Sequence, residues 1–370
     1  MNSSKSEKNY IKRRKLTWME STEHPSVLFP QGSVEVSRMM TPDDTNLAGN
    51  VHGGTVLRMI EEAGGIIATR HCNKNRHEGK PAVWAALARV EQTNFVKPMY
   101  VGELATVHAD LTYSSKHSLE VQVLVFAENL VKGEHKLCNK ACLWYVPVEV
   151  QSVQCGESKV SEVPPLEYKS KEDEEAGRRR YEAQLISRKT KEELLSKIPC
   201  GIQYPISGRN HGDLVKCSVE YSASSLTHSV QPSDCNIFKY CNGGVTMKMM
   251  DNVAGMVAFR HAHCNIVTAS IDAIDFHNPV KLGEIMTITG RMTFTSDKSM
   301  EIKVVADVEN LLEGRCFRAL SAFFYFVALD KSGYPIKVPA LQPQTEEEKQ
   351  RFEEGRARYN SRKQRRMSNK

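Results

Sequence analysis

Between Gly53 and His71 the apolar positions Val56, Leu57, Ile60, Ala63, Gly64, Ile67 and Ala68 recur at helical spacing. The pattern predicts one long helix, roughly 28 Å at 1.5 Å per residue. After it the period changes. Four strand-like runs follow at about 82–92, 101–112, 118–129 and 138–147, where "LEVQVLVFAEN" alternates and "ACLWYVPV" is nearly continuously apolar.

The same order returns later in the chain. "PDDTNLAGNVHGGTVLRMIEEAGGIIATRH" (42–71) aligns without a gap on "PSDCNIFKYCNGGVTMKMMDNVAGMVAFRH" (232–261), an offset of 190 residues. "FVKPMYVGE" with "FHNPVKLGE", and "TYSSKHSLEVQV" with "TFTSDKSMEIKV", align at an offset of 181; the difference falls in the "NKNRHEGKP" insertion of the first copy. Strand runs are therefore expected again at about 266–276, 282–294, 299–310 and 316–328, and "GRRRY" (177–181) recurs as "GRARY" (355–359). The chain reads as two copies of one unit, each followed by a charged, helix-prone segment. That gives a basic N-terminal segment (1–34), a first unit (35–150), a charged helical connector (151–204), a second unit (205–330) and a charged C-terminal helical tail (331–370).

One apolar helix followed by consecutive antiparallel strands buries both only if the sheet curls around the helix, an α+β arrangement. A single such sheet leaves an edge region uncovered. Pairing of the two copies would complete the assembly.

Composition changes this picture little. Of 370 residues, 40% are hydrophobic and 25% charged, as in ordinary soluble domains, and no apolar run approaches the roughly 20 residues that cross a bilayer. The net charge of +6 sits in the tails: residues 1–15 carry +5 and residues 345–370 carry +4, leaving the body at −3. Basic tails without interleaved aromatics do not make a nucleic-acid surface. The N-terminal segment has no apolar core of a secretory signal, although its Arg-rich start leaves a mitochondrial address open beside the cytosolic default; the final "RKQRRMSNK" is no peroxisomal signal. The ten cysteines contain no CxxC pair and read as reduced thiols. His71, Cys72 and His77 could be imagined as metal ligands, but the second copy, with His261, His263 and Cys264, does not keep their spacing, and no metal is expected.

The helix carries an acid on its apolar side. Leu57, Glu61, Gly64 and Ala68 share one row, whereas Glu62 stacks on Arg58; the second copy repeats the row as Met247, Asp251, Ala254 and Ala258. A carboxylate beside a core is costly unless hydrogen-bonded or functional. One reading is an interface carboxylate held by a backbone donor. The other is a base whose pKa is raised by desolvation. Before each acid, "HGG" and "NGG" open the helix, so Gly53, Gly54, Gly243 and Gly244 present backbone N–H groups where an oxyanion could sit, or simply permit close packing.

Taken together, "NLAGNVHGGTVLRMIEEAGG", "TYSSKHSLEVQV", "FHNPVKLGE" and "MTFTSDKSMEI" resemble the tandem hotdog acyl-CoA thioesterases over about residues 35–360. The resemblance implies two tandem hotdog folds, each a curved five-stranded antiparallel sheet around one long helix. It implies hydrolysis of medium- to long-chain fatty acyl-CoA at the interface of the two, with coenzyme A as part of substrate and product and no separate cofactor. It further implies a homo-oligomer, a trimer of two-repeat chains, for which exposed sheet faces would serve. An asparagine from the first repeat and an aspartate from the second form the implied catalytic pair, which map onto Asn50 and Asp251. In the alignment Asn50 faces Tyr240 and Asp251 faces Glu61. Of the two composite sites, only Asn50 with Asp251 keeps the pair, and Tyr240 with Glu61 reads as degenerate. Asn50 competes with a role as helix N-cap. His52 is a candidate neighbour of the site; its counterpart Asn242 departs from the family's repeated His-Gly-Gly.

Lys116 and Lys298, in "SSKHS" and "TSDKS", are candidate contacts for coenzyme A phosphates or ordinary polar hairpin turns. No Gly-x-Ser-x-Gly elbow supports serine chemistry and no phosphate loop is present. A non-catalytic acyl-CoA binder is the alternative. A hotdog hydratase would want a recurring Asp–His pair, which the repeats lack.

Overall fold

The computed structural model describes residues 33–46, 49–74, 81–150, 159–195 and 214–368. Most of the basic N-terminal segment, most of the "NKNRHEGKP" insertion with His77, and parts of the connector lie outside the described residues. The first repeat contains β1 (Ser33–Met39), α1 (Gly53–Cys72), β2 (Val83–Val90), β3 (Thr93–Phe95), β4 (Leu104–Ser114), β5 (Leu119–Asn129) and β6 (Glu134–Glu149). The connector supplies α2 (Lys171–Leu195), and the second unit opens with the single turn α3 (Val219–Ser222). The second repeat follows as β7 (Ser224–Ser229), α4 (Gly243–Ala262), β8 (Asn265–Ile271), β9 (Ile274–Asp275), β10 (Ile285–Thr295), β11 (Ser299–Asn310) and β12 (Arg315–Leu329), before the tail helix α5 (Glu346–Ser368).

Both long helices fall where the apolar spacing puts them. The hydrophobic pattern predicts neither β1 nor β7, because each is an end strand with few buried side chains. The predicted run at 82–92 breaks after Val90. β2 pairs with β6, and after the break β3 pairs with β6 on one side and with β8 of the other repeat on its other side. β2 also meets β9 across the repeat boundary. The two sheets thus form one twelve-stranded antiparallel sheet, and each repeat closes the open edge of the other. Its concave side packs on α1 and α4, where Leu57, Ile60, Met247, Met250, Val123 and Val304 are buried. Among the described residues no helix is long and apolar enough to cross a membrane.

The recurring "GRRRY" and "GRARY" segments dock α2 and α5 on the outer face of the sheet. A side chain at Gly177 would collide with Tyr113, and one at Gly355 with Phe294. Arg180 then reaches Glu120, which is fully buried on β5, through two hydrogen bonds of 2.7 Å. Arg358 reaches Glu301 of β11 in the same way at 2.8 and 3.2 Å. Removing the cation strands a buried carboxylate. Arg180→Ala is expected to cost about 2–3 kcal/mol in chemical denaturation, below the roughly 3–5 kcal/mol of a fully buried pair because Arg180 is 38% exposed. Arg358→Ala should cost less, since Arg362 remains 3.6 Å from Glu301.

Candidate active site

The two long helices cross antiparallel through their first halves, and glycine makes the crossing possible. A Cβ on Gly54 would lie 2.7 Å from the Lys248 Cα and 3.0 Å from the Asp251 Cβ. A Cβ on Gly244 would lie 2.9 Å from the Arg58 Cα and 3.1 Å from Glu61 Oε2. Each helix start therefore rests on the acid of the other helix. The Gly54 N–H donates to Asp251 Oδ2 at 2.8 Å, and the Gly244 N–H reciprocally bonds the Glu61 carboxylate.

These contacts assign the four glycines. Gly54 and Gly244 aim carboxylates. Gly53 and Gly243 sit one position earlier, and among the described residues their N–H groups have no hydrogen-bond partner. A Cβ on Gly53 would come within 3.1 Å of Thr268 and Phe95, and one on Gly243 within 3.1 Å of Leu87 and Phe276. By these matched contacts Thr268 and Leu87 are counterparts.

That pairing exposes an asymmetry absent from the motif reading. Asp251 is 2% exposed and accepts the Thr268 hydroxyl at Oδ1, 3.0 Å away. Glu61 has Leu87 at the equivalent place and no hydroxyl there. Thr268 sits on β8, and only the folded register brings it opposite the start of α1, so no local motif could have singled it out.

Desolvation raises the Asp251 pKa above the ordinary aspartate value, against smaller lowering effects from Gly54, Thr268 and His52. Desolvation pushes Glu61 up to about 7, again against its glycine N–H. Folded Glu61 binds its proton more tightly than the unfolded chain does. Its contribution to stability is full below about pH 4.5 and is lost as pH rises through about 7. Glu61→Gln should therefore gain on wild type by roughly 2–3 kcal/mol between pH 5 and pH 8 in denaturation titrations.

Asn50 is not the helix N-cap: His52 holds that position, and Asn50 forms a backbone bridge to Tyr100, as Tyr240 does to Lys281. Among the described residues the Asn50 side chain has no hydrogen-bond partner. The asparagine that enters the other repeat is Asn46. Its Nδ2 donates to the Ile266 carbonyl of β8 at 3.2 Å, two residues from Thr268, while its Oδ1 accepts the Asn50 N–H at 3.1 Å. Asn236 folds the matching loop, accepting the Tyr240 N–H at 3.3 Å.

Lys116 and Lys298 lie at the other end of the helices. The Lys116 carbonyl accepts Val163 N–H beside Pro164, whose carbonyl holds His71 near the end of α1, and the Lys116 ammonium is 3.0 Å from Glu162. Lys298 sits in the equivalent turn beside the strand of chain that runs from Val338 to Pro339, which holds His261. The structure does not bring either lysine to the helix starts. His71 and His261 are each committed to a proline carbonyl at 2.9 Å.

A sequence model described as the Thioesterase superfamily matches residues 48–134 and 238–313, one stretch in each repeat. The cytosolic acyl coenzyme A thioester hydrolase of Mus musculus is 52% identical over 335 residues, covering 88% of this chain and 82% of the mouse protein. The chain belongs to the thioesterase superfamily. The Homo sapiens protein of the same name is also 52% identical, over 89% of this chain and 83% of its own length. A solved structure from Lactobacillus plantarum, described as an oleoyl thioesterase, superposes with a TM-score of 0.50 over 80% of this chain and 97% of that one, at 9% identity. At that identity the likeness speaks to the fold. This thioesterase-superfamily chain thus has both hotdog units in one polypeptide, matched one by one by the family pattern.

Proposed function

We propose that the chain hydrolyses medium- to long-chain fatty acyl-CoA to free fatty acid and coenzyme A at the crossing where α1 presents Gly53 and Gly54 to Asp251. One observation carries the proposal: a buried carboxylate on α4 is aimed by an amide of the other repeat, in a chain half identical to acyl-CoA thioester hydrolases. Asp251 takes a proton from water, and the water oxygen attacks the thioester carbonyl. Attack by the carboxylate itself is the other route open to the same geometry. Gly53 N–H is the free helix-start donor for the developing oxyanion, since Gly54 N–H already holds the base. Collapse breaks the C–S bond, and the proton on Asp251 passes to the departing thiolate. Tyr240 and Glu61, with Leu87 in place of Thr268, form the weaker counterpart.

The first repeat supplies the amide that orients the water. The resemblance pointed to Asn50; the observed reach across the repeats favours Asn46 in the same loop. No resident cofactor or metal is needed for this chemistry. The relatives' name supports a cytosolic address. For a homo-oligomer, such as a trimer of two-repeat chains, the support is the matched hairpin tips, where Val131 is 97% and Leu312 100% exposed. α2 and α5 cover only part of the outer sheet faces, and β1 and β7 stay largely exposed.

The test is release of free coenzyme A from palmitoyl-CoA by the purified chain, with Asn46→Ala and Asn50→Ala alongside. Turnover, with the larger kcat loss in Asn46→Ala, supports this reading. Binding of palmitoyl-CoA without release would make the chain a non-catalytic acyl-CoA binder instead.

A further inference from the structure

The loop that opens α4 differs from its first-repeat twin in one chemical respect. Thr45 and Val51 face one another in an antiparallel bridge before α1; before α4 the same two positions are Cys235 and Cys241. The neighbouring hydrogen bonds fix the kind of bridge. Asn236 N–H donates to the Tyr240 carbonyl at 2.8 Å and Asn242 N–H to the Asp234 carbonyl at 2.9 Å, so the bonds flank the cysteine pair and the cysteines themselves are the non-hydrogen-bonded partners. In such pairs the Cα atoms are about 4.5 Å apart with side chains close together. A disulfide spans Cα separations of about 4.4–6.8 Å. The backbone already holds the two residues at bonding distance.

We propose that Cys235 and Cys241 form a disulfide-forming site, a cross-strand dithiol that small-molecule disulfides oxidise. Both residues are partly exposed and both are free thiols. Both side chains pack against the core, but the bridge itself does not need cysteine, because threonine and valine build the same one in the first repeat.

The chemistry takes two exchanges. Cys235 loses its proton and attacks one sulfur of a small disulfide, forming a mixed disulfide and releasing one small thiol. The Cys241 thiolate then attacks the Cys235 sulfur, closing the protein disulfide and releasing the second small thiol. Two protein thiols are oxidised and one small disulfide is reduced. Cys235 is the entry point. The Cys241 sulfur is engaged with the Asn242 carbonyl at 3.7 Å and the Thr246 hydroxyl at 3.6 Å, and burial pushes its thiol up to about 12; burial raises the Cys235 thiol as well. The high value slows the closing step, and the backbone pairing that holds the two residues side by side offsets it.

The ring that closes contains Asn236, which folds the loop, and Phe238, whose ring meets Trp84 of the first repeat at 5.6 Å. Oxidation would therefore fix the loop beside the Glu61 counterpart site and leave the Asp251 site, on the other loop, unclamped.

The experiment equilibrates the full chain with graded mixtures of reduced and oxidised glutathione, quenches in acid, alkylates remaining thiols and maps tryptic peptides by mass. Lys239 lies inside the ring, so trypsin separates the cysteines unless a disulfide joins them. The expected result is a linked pair of peptides, short by two hydrogen atoms, with fragmentation placing the link at Cys235 and not Cys217. In Cys241→Val, which installs the first-repeat residue, Cys235 should instead stop at the mixed disulfide. If both thiols remain alkylatable at the most oxidising ratio, or if the unaltered chain also stops at the mixed disulfide, or if Cys235 links elsewhere, the proposal is overturned.

Discussion

Asp251→Asn is expected to lower kcat toward palmitoyl-CoA by about 10²- to 10⁴-fold while leaving the fold intact, the range for loss of a positioned general base. The amide has the shape of the carboxylate but cannot take the proton from water. It also has one acceptor oxygen where Asp251 has two, so it cannot accept both the Gly54 N–H and the Thr268 hydroxyl. Stability should change little or rise, because a desolvated acid is being neutralised. Steady-state kinetics beside a denaturation curve separates the two effects. In the wild type the acidic limb of the rate profile should lie above the ordinary aspartate range, since burial raises this pKa. Glu61→Gln should largely retain the rate. Equal losses in the two variants would mean that both crossings work.

The second large effect is expected at Gly54. An added methyl meets the Lys248 backbone at 2.7 Å, and backbone cannot swing aside as a flexible side chain would. Helix propensity favours alanine over glycine by about 1 kcal/mol, but overpacking at such a site costs about 1–3 kcal/mol. Gly54→Ala should therefore be neutral to about 2 kcal/mol destabilising in chemical denaturation. Its rate should fall at least about tenfold, because separating the helices moves the amide that aims Asp251. Gly65→Ala is the control. A Cβ there finds its nearest neighbours at 3.9 and 4.0 Å, so the same propensity gain comes without a clash and the rate should hold.

What could be read in advance follows from how far apart the cooperating residues lie. The helices were legible because their apolar rows are local and long, and the repeat reinforced them. β1 and β7 were not, because an end strand buries too few side chains to leave a pattern. Glu61 and Asp251 stood out as acids on an apolar row, and both proved to be held by glycine amides. Thr268 and Asn46 stayed hidden, since one depends on the register of β8 and the other on a loop reaching over the repeat boundary. Glu120 and Glu301 sit inside the aligned "SLEVQV" and "SMEIKV" strands, yet nothing local announces that the arginines of "GRRRY" and "GRARY" will find them. For Asn50, only the competing reading as a helix cap is displaced, by His52 two positions on.

The exchange of amide and carboxylate at the crossing carries a consequence for how such a protein can change. In a dimer of identical chains every substitution lands on both crossings at once, and a change tolerable at one must be tolerable at the other. Joining the repeats removes that tie. Thr268 and Leu87 can then diverge independently, as can Asn50 and Tyr240, so one crossing is free to keep the demands of chemistry while its twin drifts under the looser demand of holding two helices together.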